Sequence, residues 1–315
     1  MFIPKTLQEA IVYYSDPKNC IAVMVAQRWP DGKVICPTCG RNDVSWLEKQ
    51  GKWQCKSTHT KRQFSAKVGT IYEDSPLGLD KWLMATWMLA NCKNGISSYE
   101  IARSIGVTQK SAWFMLQRIR LAMQDDFDGG KLSGTVEVDE TFIGGKARNM
   151  HLAKRKKVIQ GRGPTGKTVV MGMLERGGKV KATVIAERDK KTLHGKIAEH
   201  VEAGSHVMTD ELVSYWGLAD NYTHSVINHA ERYVDGLVST NGMENFWSLL
   251  KRGLNGTYVA VEPFHLFRYI DEQAFRFNNR QDMNDSMRFT KVLSQVVGKR
   301  LTYAEVTGKV GQTAF

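Results

Sequence analysis

Residues 134–145 read GTVEVDETFIGG, and the alternation in that stretch decides how the larger half of the chain is read. Val136 and Val138 fall on one face of a strand, Glu137 and Asp139 on the other, because successive side chains of an extended chain point to opposite sides. A carboxylate on such a strand forfeits packing energy, so Asp139 needs a reason to be there. Two more stretches of period two follow, KTVVMGMLERGG and KVKATVIAERD, joined at Arg176–Gly177–Gly178 as in a hairpin. A helix from Lys191 to about Val201 and a short strand, HVMTD at 206–210, come next. A strong helix begins near Thr240 and a further helical segment after Pro263. Strands interleaved with helices in this order predict an α+β chain whose second half holds a mixed sheet.

Asp210 closes HVMTD, and Glu244 lies further on, inside TNGMENFWSLLKRGLN. There Met243, Phe246, Trp247 and Leu250 make an apolar stripe, while Glu244, Ser248 and Lys251 share another face. Two aspartates on adjacent strands and one glutamate on a nearby helix would suit two divalent metals ~4 Å apart, poised for in-line phosphoryl transfer. Oxygen-only ligands favour magnesium or manganese. Taken singly, any such acid is a solvated charge or a helix cap, and Glu137, Glu140 and Glu211 are read that way. Asn241, just after Ser239 and Thr240, stands where a helix N-cap is expected.

The chain has 315 residues, 42% of them hydrophobic, enough for two or three domains. Its 44 basic residues against 32 acidic ones leave a net charge of +12, which favours a polyanionic partner. No apolar run approaches the ~18 residues that span a bilayer, and the N-terminus lacks a signal-peptide pattern, so a cytoplasmic, DNA-associated protein is expected. Five cysteines are too few and too uneven for a disulfide framework. Cys36 and Cys39, in ICPTCGRN, form a tight C-x-x-C turn, and Cys55 and His59 follow a strand-like KWQC. Four such ligands fit a structural zinc ion, which would supply folding free energy to a module with little core of its own. Cys20 and Cys92 are read as buried thiols.

Residues 1–30 form a short helical lead-in, and residues 79–92 a buried helix. Ser97 and Glu100 make a capping box, Gly106 breaks the helix, and Thr108 caps a second one. That second helix keeps Ala112, Leu116, Ile119 and Met123 on one face and shows Gln109, Lys110, Gln117, Arg118 and Arg120 on the other. The pair reads as a helix-turn-helix whose Lys110, Arg118 and Arg120 meet DNA. The expected division is 1–78 for lead-in and ribbon, 79–128 for the helical pair, and 129–315 for the catalytic domain.

VEVDETFIGG, then TDE, then TNGMENFWSLLKRG resemble the DDE transposases of bacterial insertion sequences, and more narrowly the branch with an N-terminal zinc ribbon. RWPDGKVICPTCG and RQFSAKVGTIYEDSPLGLDKW are similar to the same branch, so the likeness spans nearly the whole chain. The resemblance implies a ribonuclease-H-like catalytic fold, two magnesium or manganese ions per active site, and double-stranded DNA as partner through the terminal inverted repeats of a mobile element. Assembly as a homo-oligomer on DNA is expected with it. It assigns the first, second and third carboxylate to Asp139, Asp210 and Glu244, and to Lys251 the contact with DNA near the cleaved bond. Some relatives use asparagine as the third residue, which makes Asn241 the rival of Glu244. Many carry a fourth cysteine where this chain offers His59. His229, in VINHAERYV, matches a recurring histidine of the branch.

GRGPTGKT at 161–168 matches the phosphate-binding loop pattern, yet the following TVVMGMLE alternates as a strand, so no nucleotide is expected. Between Gly144 and Leu174 stand eight cations and no acid, among them Lys154, Arg155, Lys156 and Lys157. A loop gripping DNA phosphates accounts for them. The alternative function, a regulator that binds DNA through ribbon and helical pair without catalysis, leaves the three carboxylates unexplained.

Overall fold

The computed structural model describes residues 2–124, 130–145, 150–158, 166–227 and 239–309. The chain divides into two compact units, 2–124 together with 279–309, and 130–278. Ribbon and helical pair therefore share one unit. The segment after residue 278, expected in the catalytic domain, returns to the N-terminal unit instead.

In the first unit the lead-in is two helices, α1 (Leu7–Tyr14) and α2 (Pro17–Arg28). Asp16 breaks them: its side chain accepts the Lys18 N–H, and Pro17 can open a helix but not continue one. A small antiparallel sheet follows, β1 (Val44–Leu47), β2 (Lys52–Cys55) and β3 (Gln63–Phe64). Trp29, Trp53 and Phe64 are buried around it, with Trp46 packed on Trp53 at 4.6 Å between ring centroids. Then come α3 (Leu79–Asn91), α4 (Ser98–Ile105) and α5 (Gln109–Met123). The Ser97–Glu100 capping box forms, Gly106 ends α4 at φ 64°, and the Thr108 side chain accepts the Ser111 N–H.

The second unit is built on a five-stranded sheet of β4 (Thr135–Ile143), β5 (Thr168–Glu175), β6 (Val180–Ile185), β7 (His206–Asp210) and β8 (Thr223–Ile227). Its order is β6-β5-β4-β7-β8. The first three strands pair antiparallel, while β7 runs parallel to both β4 and β8. This is the mixed sheet of a ribonuclease-H-like fold. Sequence reading missed β8, whose residues are mostly half-exposed and carry little apolar alternation. Helices α6 (Leu152–Val158), α7 (Lys190–His200), α8 (Asn241–Arg252) and α9 (Leu266–Asn278) complete the unit.

Period two sorts the strand side chains between two cores. Val136, Val138, Met171, Met173 and Val207 pack with Leu193 and Ile197 of α7. On the opposite face Val170 and Leu174 pack with Met243, Phe246 and Trp247 of α8 and with Ile270 of α9. Each core buries several large side chains at ~2 kcal/mol apiece, which fixes the register, because a one-residue slip would exchange the faces.

The chain then returns to the first unit as α10 (Asp285–Ser294) and α11 (Tyr303–Val306). Phe289 of α10 packs against Tyr14 and Trp87, and Ile71 N–H donates to Val296 O at 3.0 Å. This segment covers the face of α5 that was expected to be open. Arg118 is 4% exposed and Arg120 1%. The Arg118 guanidinium donates to the carbonyls of Leu301, Ile71 and Glu73 at 2.9, 3.0 and 2.6 Å. The expectation that Arg118 and Arg120 meet DNA is thus corrected: both are enclosed in the unit's own interior. Lys110, at the open end of α5, is exposed.

Candidate active site

The register of β4 on β7 pairs Thr135 with His206, Val136 with Val207 and Glu137 with Met208. Carried along both strands, the same register sets Asp139 level with Asp210. Neighbours across a parallel pair share a face, so the two carboxylates stand side by side on the face that packs against α8. Asp139 Oδ2 accepts the indole N–H of Trp247 at 2.9 Å. Glu244 lies one helical turn before Trp247 and is exposed. Asp210 Oδ1 accepts the Leu212 N–H at 3.1 Å, which orients it at the end of its strand.

Electrostatics tie the three together. Burial pushes the Asp139 carboxyl up, the Trp247 N–H opposes that, and the charges of Asp210 and Glu244 add to the rise. A cation placed among them would relieve both desolvation and mutual repulsion. The donor set is three hard carboxylates, the chemistry that magnesium and manganese prefer, so these residues fit such ions.

Glycine makes the seating of α8 on the sheet possible. Asp139 pairs across the sheet with Gly172 of β5. A Cβ on Gly172 would collide with Met243 Cε and would meet the Trp247 ring at 2.7 and 2.8 Å. Without a side chain there, α8 settles onto the sheet close enough for Trp247 to reach Asp139.

Two carboxylates read as solvated bystanders are buried. Glu137 is 3% exposed; it accepts the Met243 N–H at 3.1 Å and the Arg176 Nε–H at 3.1 Å. Its role as a cap was foreseen in kind, though not its target, the first turn of α8. Asn241 is correspondingly not the cap: it is the first residue of α8, Thr240 holds the N-cap position, and no side chain there makes a capping bond. Glu140 points to the opposite core, where Tyr215 donates to it and Arg188 stands 3.8 Å away. Burial pushes its carboxyl up to about 7, Tyr215 opposing and Asp210 and Asp139 adding. No sequence signal marked either, since burial of an acid depends on partners distant in the chain.

Lys251, exposed on α8, lies on the same stripe as Glu244 and Ser248. Arg155 and Lys156 are exposed on α6. The side chains of Lys154 and Lys157, and all of His229, lie outside the described residues. Residue 168, which ends the phosphate-loop match, begins strand β5 rather than a helix.

In the other unit Cys36, Cys39, Cys55 and His59 bring one ligand atom each to within 4.8 Å of one another, the one such group among the described residues. Cys39 Sγ lies 3.6 Å from Cys55 Sγ, and Cys36 Sγ 3.6 Å from His59 Nε2. A tetrahedron with Zn–S near ~2.3 Å has edges of about 3.7 Å, so the four fit a zinc ion. His59 Nδ1 lies 2.5 Å from Thr60 O, which leaves Nε2 for the metal. Burial opposes ionisation of Cys55, but hydrogen bonds led by that to His59 bring its thiol down to about 6.

Comparison with known proteins follows this division. Residues 131–278 match an ISXO2-like transposase domain, and residues 15–60 match a transposase zinc-ribbon domain. An uncharacterized protein in transposable element ISH50 of Halobacterium salinarum is 27% identical over 248 residues, covering 74% of this chain and 82% of the relative. Among the described residues no helix is long and apolar enough to cross a membrane.

Proposed function

Given that the chain belongs to the insertion-sequence transposases with an N-terminal zinc ribbon, we propose that it binds the terminal inverted repeats of its element, cuts there to expose 3′-hydroxyls, and joins them to target DNA. The observation that carries this reading is the alignment of Asp139 with Asp210 under the helix that bears Glu244. Asp139, Asp210 and Glu244 would hold two divalent ions, magnesium or manganese. When bound, such ions activate the attacking oxygen and stabilise the leaving one.

The chain's own groups do the rest. Trp247 holds one oxygen of Asp139 and so orients its carboxylate. Lys251 presents a cation to a phosphate on the same side of α8 as Glu244. Arg155, Lys156 and their neighbours in the 144–174 stretch, with Lys110 in the other unit, supply sequence-independent attraction to the backbone. Zinc at Cys36, Cys39, Cys55 and His59 stabilises the ribbon and takes no part in the chemistry, since four protein ligands leave no open position. Assembly as a homo-oligomer on the paired element ends completes the reading.

Labelled element-end DNA incubated with magnesium tests it. Wild type should nick at the element boundary, and Asp139→Ala should bind the same DNA without cutting. Equal cutting by both proteins would end the assignment of Asp139.

A further inference from the structure

The strand that carries Asp139 also grips the helix that carries Glu244. Glu137, two residues before Asp139 and on the same face of β4, accepts the N–H of Met243, the residue immediately before Glu244. Its other oxygen is held by Arg176 at 3.1 Å, and Arg176 reaches on to Ser239 at 3.0 Å (O) and 2.9 Å (Oγ), just ahead of α8. The approach is close because residue 242 is glycine: a Cβ there would meet Glu137 Oε2 at 2.7 Å and Leu174 Cδ2 at 2.5 Å. A buried carboxylate bonded to a backbone N–H of a helix's first turn ties that turn to the strand that bears the carboxylate.

We propose that Glu137, clamped by Arg176, is a positioning residue that sets where Glu244 stands relative to Asp139. The proposal rests on the reading of Asp139, Asp210 and Glu244 as the metal-holding site. Glu137 is 3% exposed, with its two oxygens taken by Met243 N–H and Arg176. It acts through the first turn of α8, whose packing on β4 decides whether all three carboxylates reach one pair of ions. Ordinary helix capping by a local side chain could not do this, because a local cap travels with the helix.

The test uses the full chain as wild type, Glu137→Ala, Glu137→Gln, Gly242→Ala and Asp139→Ala. Manganese binding is titrated without DNA by electron paramagnetic resonance, and the magnesium half-saturation of end cleavage is measured alongside, with thermal unfolding as a check on folding. Glu137→Ala and Gly242→Ala should each weaken manganese binding and raise the magnesium half-saturation about tenfold, with binding to end DNA kept. Glu137→Gln, which keeps an acceptor for Met243, should fall between. Folded variants whose melting temperature drops while both metal readouts stay at wild type would overturn the positioning role. If Glu137→Ala does not fold, Gly242→Ala and Glu137→Gln decide the matter. An Asp139→Ala protein that binds manganese and cleaves as wild type overturns the metal site itself, whatever the Glu137 variants do.

Discussion

Gly172→Ala adds a single methyl group at the point where the sheet and α8 touch. That methyl would lie 2.7 Å from Trp247 Cζ2 and still nearer to Met243 Cε. Carbon atoms pack at about 3.5–4.0 Å, so α8 must withdraw by roughly 1 Å or its two side chains must leave their rotamers. Overpacking of this kind costs about 1–3 kcal/mol. For a unit of about 150 residues, at about 2–4 °C per kcal/mol, that lowers the melting temperature by about 2–12 °C. Catalysis should suffer more than stability, because Trp247 orients Asp139 and Glu244 rides on the same helix; a misplacement of about 1 Å is worth on the order of 100-fold in rate. The assay is thermal unfolding beside a single-turnover cleavage of element-end DNA. Gly195→Ala is the control, since nothing lies within 4 Å of a Cβ there. In the middle of α7 that change should stabilise by about 1 kcal/mol and leave cleavage untouched. A Gly172→Ala protein with native melting temperature and full cleavage would refute the close seating of α8 on the sheet.

Glu244→Gln should keep fold and end binding yet slow strand cleavage by about 1000-fold, a barrier increase of ~4 kcal/mol, whereas Asn241→Ala should change stability by no more than about 0.5 kcal/mol and leave cleavage intact. A dead, folded Asn241→Ala protein beside an active Glu244→Gln would transfer the third position to Asn241. Arg118→Ala should destabilise the first unit by about 2–4 kcal/mol, because three carbonyls lose a charged donor, and should leave sequence preference on DNA unchanged; altered preference at unchanged stability would restore Arg118 to the DNA interface. For zinc the sign follows from Cys55. Its thiol is held down at about 6, so the thiolate is present above that pH, and protons compete with the metal as pH falls through it. Zinc release followed by a chromogenic chelator should therefore rise as the pH falls, and at a higher pH in Cys36→Ala than in His59→Ala, where a water can complete the site; release independent of pH would contradict this.

The placement of the candidate residues on their strands and helix was legible because its signals are local. The alternation around Asp139 placed it on a strand, HVMTD ended in a second acid, and the apolar stripe of α8 left Glu244 and Lys251 on one side. The spacing between Asp139 and Asp210 acquires its meaning only from the register of β4 on β7, where it is the pairing offset itself. What stayed hidden depends on distant partners. Periodicity cannot show that residues 279–309 fold back over α5 and enclose Arg118 and Arg120. Nor can it show that Glu137 caps a helix far along the chain, which is why Asn241 looked like the cap. Strand β8 lay hidden for a different reason: an edge strand half-open to solvent needs no regular apolar face.

Metal-specificity rescue tests most directly whether Asp139 is a metal ligand. Asp139→Cys replaces a hard oxygen with a softer sulfur. Cleavage of element-end DNA by this variant should be lost in magnesium and recover by about tenfold or more in manganese, which accepts thiolate better. Cleavage in magnesium at the wild-type rate would contradict the account.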